Sequence, residues 1–471
     1  MPDEVVDPAV LRRFMLGLAE GMNAAEESVD RIRDTMVAVA QSYGRSDTEF
    51  VVLPTVIIVQ TRAVEEGRVE IRSTGASFRF DQIAALYTLV EEARRGEVDP
   101  LDGIHRLNDI GSMKPRHAWA VRTFGHALLA AGLSLLLAPT WQGLLVAFVL
   151  GAFIGVAKLV RSPTLQIVFP VFVAFACALA VFLIAPYVAI GDPIRLLVAP
   201  LVTFLPGGVL TTATVELAAG QMIAGASRLV FGLVQLSLLA FGILAAGTVV
   251  GVDSSSYVPE AATGAFPWWA AIGGVLLFAI GNYLHFSAPA STFGWVLLVL
   301  VVAYIGQALG TAFVGSTVSG FVGALAMTPV VLWIASLRGG APSQLTFLPA
   351  FWLLVPGAAG LVGLTEAVGT TKGFEDFVTA LTSVMSIALG VLIGTALYRT
   401  VHRGAEELAE FHIDVPAALT EEKAPPFWAK LIPGTPRSFW RRPHREPAVR
   451  PAAGAPALTE ASASQSAPSR D

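Results

Sequence analysis

Apolar and polar residues along this chain follow three successive patterns, and each predicts different elements. Between Val10 and Tyr43 the residues Leu11, Phe14, Met15, Leu18, Met22, Val29, Ile32, Met36 and Val39 recur at helical spacing. That period puts them on one face of a single amphipathic helix, which Gly44 ends. Phe50–Gln60, FVVLPTVIIVQ, is β-branched and apolar on both sides of Pro54. It reads as a strand pair, or as one strand bent at the proline. Arg68–Thr74 alternates and predicts a further strand. Helices follow from about Asp81 to Arg95, stopped by Gly96, and from Pro100 to Asp109.

From Ala118 to Val401 the pattern changes to apolar runs of near-bilayer length, about ten of them. They fall near Trp119–Leu137, Gly143–Ala157, Leu165–Tyr187, Arg195–Val215, Leu229–Gly251, Trp268–Phe286, Phe293–Gly310, Phe313–Leu337, Thr346–Thr365 and Phe377–Tyr398. The third pattern, from Val415 to Asp471, is rich in Pro, Ala, Ser and Arg and predicts a disordered tail. The expected fold class is therefore a polytopic α-helical membrane protein with an N-terminal cytoplasmic α+β domain. The expected division is 1–117 for that domain, 118–251 and 267–401 for two five-helix membrane repeats, and 415–471 for a cytoplasmic tail.

Composition narrows the function classes. The chain of 471 residues is 54% hydrophobic and 14% charged, too apolar for one water-soluble domain. The net charge of −5 is too small to define a partner, and nothing points to nucleic acid. One cysteine, Cys177, excludes an internal disulfide and a thiolate metal cluster. There is no P-loop, no G-x-S-x-G and no H-E-x-x-H. No enzyme activity, cofactor or metal is expected, and His105 and His117 read as surface histidines.

Loop charges set the expected orientation. The first residues lack a basic-then-apolar start, so the head is expected to stay in the cytoplasm. With the head inside, the inner loops carry Lys158, Arg161, Arg228, Arg338, Arg399 and Arg403. The outer loops carry Asp192 with Arg195, then Asp253 and Glu260, then Glu366, Lys372, Glu375 and Asp376. The positive residues lean inward, and an even number of spans returns the C-terminus to the same side. Lys158 and Arg161 read as orientation charges.

The chemistry concentrates in the fourth span, FLPGGVLTTATVELAAG, Phe204–Gly220. Pro206 removes a backbone donor and clashes with the preceding turn, and Gly207 and Gly208 add freedom, so the helix breaks. A break at membrane depth survives only where it is buried in protein or lines a wet cavity. The half-helix beyond it presents free N–H groups to a carboxylate. Thr211, Thr212 and Thr214 offer hydroxyls, and Glu216 lies one turn beyond Thr212. The plainer readings stand beside these. Threonines can bond back to their own helix, and Glu216 can mark where the span leaves the membrane. Gln166, Gln235, Asn282, His285 and Gln307 are further polar residues at membrane depth.

The segment recurs. LPGGVLTTATVE begins at Leu205 and VPGAAGLVGLTE at Val355, a shift of 355 − 205 = 150 residues. At that shift Pro206 matches Pro356, Gly207 matches Gly357 and Glu216 matches Glu366. Each lies in the fourth span of a five-span set, and an odd number of spans inverts the second copy, the pattern of secondary transporters. Pro206, Gly207, Gly208, Thr211, Thr212, Pro356 and Gly357 are the candidate substrate site. Glu216 and Glu366 are the candidate proton-coupling groups.

These residues resemble the bacterial threonine/serine exporter family. The likeness rests on Pro206–Gly207, Glu216, the spaced set Gly220, Gly225, Arg228 and Leu229, and STGASFRFDQIAALYTLVEEARRGEVDPLDGIHRL at Ser73–Leu107. Family members often carry Asp where this chain has Glu216. The resemblance implies secondary, proton-driven export of small hydroxy amino acids across the bacterial inner membrane, with both termini cytoplasmic. It gives Gly220, Gly225 and Arg228 structural or gating roles. Some relatives are associated with dicarboxylate export, so that substrate class stays open, as do a membrane-anchored sensor without transport, lipid contacts and a homo-oligomer.

Overall fold

The computed structural model describes residues 7–61, 69–73, 77–137, 140–160, 163–252, 269–354, 361–362, 365 and 373–403. The tail lies outside the described residues. The predicted first helix is two: α1, Pro8–Ala24, and α2, Val29–Ser42. The period carries across the junction, but the backbone turns at Glu26, whose φ is 61°. Ser28 is extended and becomes the N-cap residue of α2, so one apolar stripe belongs to two packed helices. Pro54 resolves the next segment into a hairpin of β1, Thr48–Val52, and β2, Val56–Thr61. With β3, Val69–Ser73, they form an antiparallel sheet in order β1-β2-β3, registered by Phe50 opposite Val59 and Ile58 opposite Ile71.

Two helices complete the head, α3 at Phe80–Arg94 and α4 at Pro100–Ser112. Asp99 caps α4 through the amides of Leu101 and Asp102. Gln82, in the first turn of α3, donates to the Ile110 carbonyl at the far end of α4. Phe14, Met36, Ile57 and Leu86 share one core. Ala224, Ala288, Leu345 and Leu348 from the apolar part of the chain belong to that same core, so the head is packed onto the helices below it.

The rest is helical: α5 Trp119–Leu137, α6 Trp141–Ala157, α7 Pro163–Ile184, α8 Pro193–Leu201, α9 Gly207–Ala218, α10 Met222–Val250, α11 Trp269–His285, α12 Ala290–Val314, α13 Ser319–Ser336, α14 Ser343–Leu354 and α15 Gly373–Arg403. Among the described residues, five are long and apolar enough to cross a membrane, and the bent pair α8–α9 makes a sixth candidate; α6, α11, α14 and the Val168–Ile184 part of α7 are shorter apolar stretches. Leu145, Val149 and Phe153 on α6, and Val230, Phe231 and Phe241 on α10, face outward. An apolar exterior of this kind suits lipid, and the protein is a polytopic membrane protein.

Two boundaries differ from the sequence reading. The break placed near Gly310 falls at Gly315, whose φ of 90° ends α12; Gly310 lies inside α12 and packs on Ser319. Arg228 is not in a loop but within α10, which begins at Met222.

Small residues bring the helices together. A Cβ added to Gly281 of α11 would lie 2.3 Å from the Leu129 amide of α5, and one added to Gly132 of α5 would lie 2.4 Å from the Phe278 amide. Gly125 meets Gly281 and His285 while Gly132 meets Gly274 and Phe278, so the two helices run antiparallel. Without a hydrophobic drive in lipid, such backbone approach is what holds helices together.

Candidate functional site

The fourth span is broken as its sequence requires. α8 and α9 meet at 71° across a 3-10 turn, Val202–Phe204, and Pro206. Asp192 caps α8 through the amides of Ile194 and Arg195. The break leaves carbonyls without helical partners, and Gln235 of α10 donates to that of Phe204 at 2.7 Å. Thus Gln235, one of the polar residues read at membrane depth, supports the break.

Gly207 and Gly208 form the first turn of α9, and both are buried. A Cβ on Gly208 would lie 3.4 Å from a carboxyl oxygen of Glu26. The turn expected to receive a carboxylate thus stands beside one supplied by the head. Burial holds that carboxyl above its ordinary value of 4.5, with the Arg228 charge acting the other way. Thr211 and Thr214 donate to the carbonyls of Gly207 and Leu210, both at 2.9 Å, which is the plainer of the two readings of those hydroxyls. Thr212 is half-buried.

Glu216 is fully buried. One oxygen accepts from the Val29 amide, the first residue of α2, at 3.0 Å; the other lies 3.2 Å from Arg228 Nε. Charge therefore meets the positive end of a helix on one side and a guanidinium on the other. Arg228 also donates to the Glu27 carbonyl at 3.1 Å and to Asn23 Oδ1 at 3.4 Å. Gln221 donates to Asp30 at 2.5 Å, and Tyr87 of α3 donates to the Glu27 carboxylate. Burial first, then the Glu27 charge, raises the Tyr87 phenol well above its ordinary value and keeps it a donor. Gly220 turns the chain between α9 and α10 at φ 84°, a conformation that suits glycine. A Cβ on Gly225 would lie 2.7 Å from the Ala213 carbonyl, so Gly225 lets α10 close on α9. The set Glu216, Gly220, Gly225 and Arg228 is thus one junction between the broken span and the head.

In the second copy of the motif, Pro356, Gly357 and Glu366 lie outside the described residues. Asn282 and His285 are buried at the end of α11, and Gln307 donates to the Leu354 carbonyl at 3.4 Å. His285 Nδ1 pairs with the Arg122 carbonyl at 3.0 Å. Among the described residues no group of three or more His, Cys, Asp or Glu is arranged to hold a metal ion. Sequence reasoning missed Glu26, Glu27, Asn23 and Asp30. The signal available was Ser28, an N-cap residue type just after two adjacent acids, which marks a new helix start.

Fold and site together define a polytopic membrane protein in which an N-terminal α+β portion caps a broken, polar helix. The sequence model of the family described as "Putative threonine/serine exporter" matches residues 13–250, and the chain belongs to that family. A Corynebacterium glutamicum protein named threonine/serine exporter is 22% identical over 352 residues, 69% of this chain and 68% of its own. An uncharacterised protein of Schizosaccharomyces pombe is 21% identical over 248 residues, 50% of this chain, and the chain spans 30% of that relative's length. No solved structure matches.

Proposed function

We propose that the chain is a secondary active exporter of small amino acids, threonine and serine, from the cytoplasm across the bacterial inner membrane, driven by protons. The observation that carries this is the bent span whose second half buries Glu216 against the head. A proton taken up by Glu216 removes the charge that attracts the Arg228 guanidinium, while a carboxyl oxygen can still accept from the Val29 amide. Protonation of Glu216 thus weakens one of the contacts between the α9–α10 hairpin and the head, beside those of Arg228 and Gln221, and ties proton movement to opening of the inner mouth. Glu366 has the matching role in the second copy. Pro206, Gly207, Gly208, Thr211 and Thr212 are the proposed substrate site at the break, with Pro356 and Gly357 as their sequence counterparts in the second copy.

Two inverted five-span repeats account for the element positions. α5 and α11 begin at Trp119 and Trp269, and α8 and α14 at Pro193 and Ser343, each pair at the 150-residue shift of the sequence motif. The antiparallel packing of α5 on α11 supports that inversion. On this reading α6, α7, α11 and α14 complete the ten spans, and residues 1–117, on the cytoplasmic side, act as the gate.

Inside-out vesicles containing the protein provide the test. Labelled threonine, serine and succinate are offered with and without an imposed proton gradient. Gradient-dependent uptake of threonine or serine is expected, and Glu216→Gln should lose the gradient dependence. Uptake of succinate alone would move the substrate to dicarboxylates. Absence of flux for all three, with a partner captured by the head, would replace the exporter with a membrane-anchored sensor.

A further inference from the structure

Immediately before the break lies a basic cluster built from four elements. Lys158, which follows α6, donates to Thr203 Oγ1 at 2.5 Å and lies 4.6 Å from the centre of the Phe204 ring. Thr203 Oγ1 lies 3.0 Å from His126 Nε2, and His126 Nδ1 lies 2.9 Å from the Gly151 carbonyl. A carbonyl only accepts and an ammonium only donates. The order is therefore fixed for a neutral imidazole: Lys158 donates to Thr203, Thr203 donates to His126, and His126 donates to Gly151. His285 stands against His126 with ring centres 4.7 Å apart.

This arrangement needs a reason. A lysine at the end of a membrane helix ordinarily extends to water and headgroups, where its charge is solvated. Here it folds back onto the 3-10 turn of the broken span. Among the described residues, no carboxylate lies within ion-pair distance of Lys158, His126 or His285. The ammonium has three donors and spends one on Thr203, leaving two. A half-buried cation beside two imidazoles and lacking an anion is a place that an anion completes. The first turn of α9, the other place for a carboxylate, already adjoins the carboxyl group of Glu26.

We propose that Lys158, aimed by Thr203 and backed by His126, is the subsite for the carboxylate of the small molecule carried through the break. The proposal rests on the exporter reading. It moves recognition of the substrate's carboxylate from the helix end after Pro206 to the turn before it, leaving the break's other polar groups for the remainder of the substrate.

The test compares ligands that differ only in the carboxylate. Affinities of L-threonine and L-threonine amide, and of succinate and succinamide, are measured on the purified full-length protein in lipid nanodiscs. A charge-assisted hydrogen bond predicts that the wild type binds the carboxylate member of at least one pair about tenfold tighter. Lys158→Met should erase that difference, Lys158→Arg should keep part of it, and Thr203→Val, which removes no charge, should reduce it. An undiminished preference in folded Lys158→Met, or no preference in the wild type, overturns the subsite. Stabilisation by phosphatidylglycerol alone, with no response to either carboxylate, overturns it in favour of a lipid phosphate. The exporter reading fails separately: a carboxylate preference that depends on Lys158, in a protein that moves neither threonine nor serine, leaves the subsite standing and removes amino-acid export.

Discussion

Glu26 combines a left-handed backbone, an enclosed carboxyl group and a place beside the broken helix. Each is unfavourable alone: a left-handed conformation costs a non-glycine residue about 1–2 kcal/mol, and enclosure disfavours the charge. The carboxyl's value is raised above 4.5 by burial, so the folded protein holds a proton that the unfolded chain releases. The stability contributed by that proton is full below about pH 4.5 and is lost as pH rises through the elevated folded value. Glu26→Gln keeps the shape without the titration. It should melt at a higher temperature than the wild type at neutral pH, and the gap should close as pH falls toward that of a free glutamate. Parallel melting curves across this range would show that Glu26 titrates alike in both states.

Among the elements, the antiparallel contact of α5 and α11 is the tightest constraint. Leu129 and Phe278 are fully buried there, and backbone amides approach where Gly281 and Gly132 lack side chains. A leucine at Gly281 cannot be absorbed by rotating a neighbour, because its Cβ meets the Leu129 backbone at 2.3 Å. Gly281→Leu should destabilise by about 1–3 kcal/mol or more, read as a lower melting temperature in detergent. Gly273, also on α11, has open space around an added Cβ, and Gly273→Leu should melt like the wild type. Equal behaviour of the two variants would place the helix contact elsewhere.

For the whole molecule, the central feature is the junction between the head and the broken span. The polar contacts of Glu216, Gln221 and Arg228 with Asn23, Glu27, Val29 and Asp30 link segments some 200 residues apart, as in Arg228 to Glu27 at a separation of 201. On the proposed exporter reading, transport through the break requires that junction to open. Asp30→Cys with Gln221→Cys, in a Cys177→Ala background, joined by a reducible bifunctional thiol reagent, should stop threonine flux, and a reductant should restore it. Full flux in the cross-linked protein would separate the head from gating.

The periodicity of apolar residues by itself determined the class of the elements. Bilayer-length runs and turn residues are local signals, so the helices, the strand character around Pro54 and the break at Pro206 were legible. So was Glu216 as an unusual residue, since a carboxylate in an apolar run stands out without any coordinates. The tertiary structure decided partners. The division of α1 from α2 was hidden because the helical period continues across Glu26. Lys158 read as a loop charge because its direction depends on where Thr203 and Phe204 come to lie, 45 residues away for Thr203. Glu26 and Glu27 gave no signal in the sequence because the guanidinium and glycine they meet come from the far side of the chain. Burial of a charge and the identity of its neighbour are non-local quantities, fixed only when the head packs onto the broken helix.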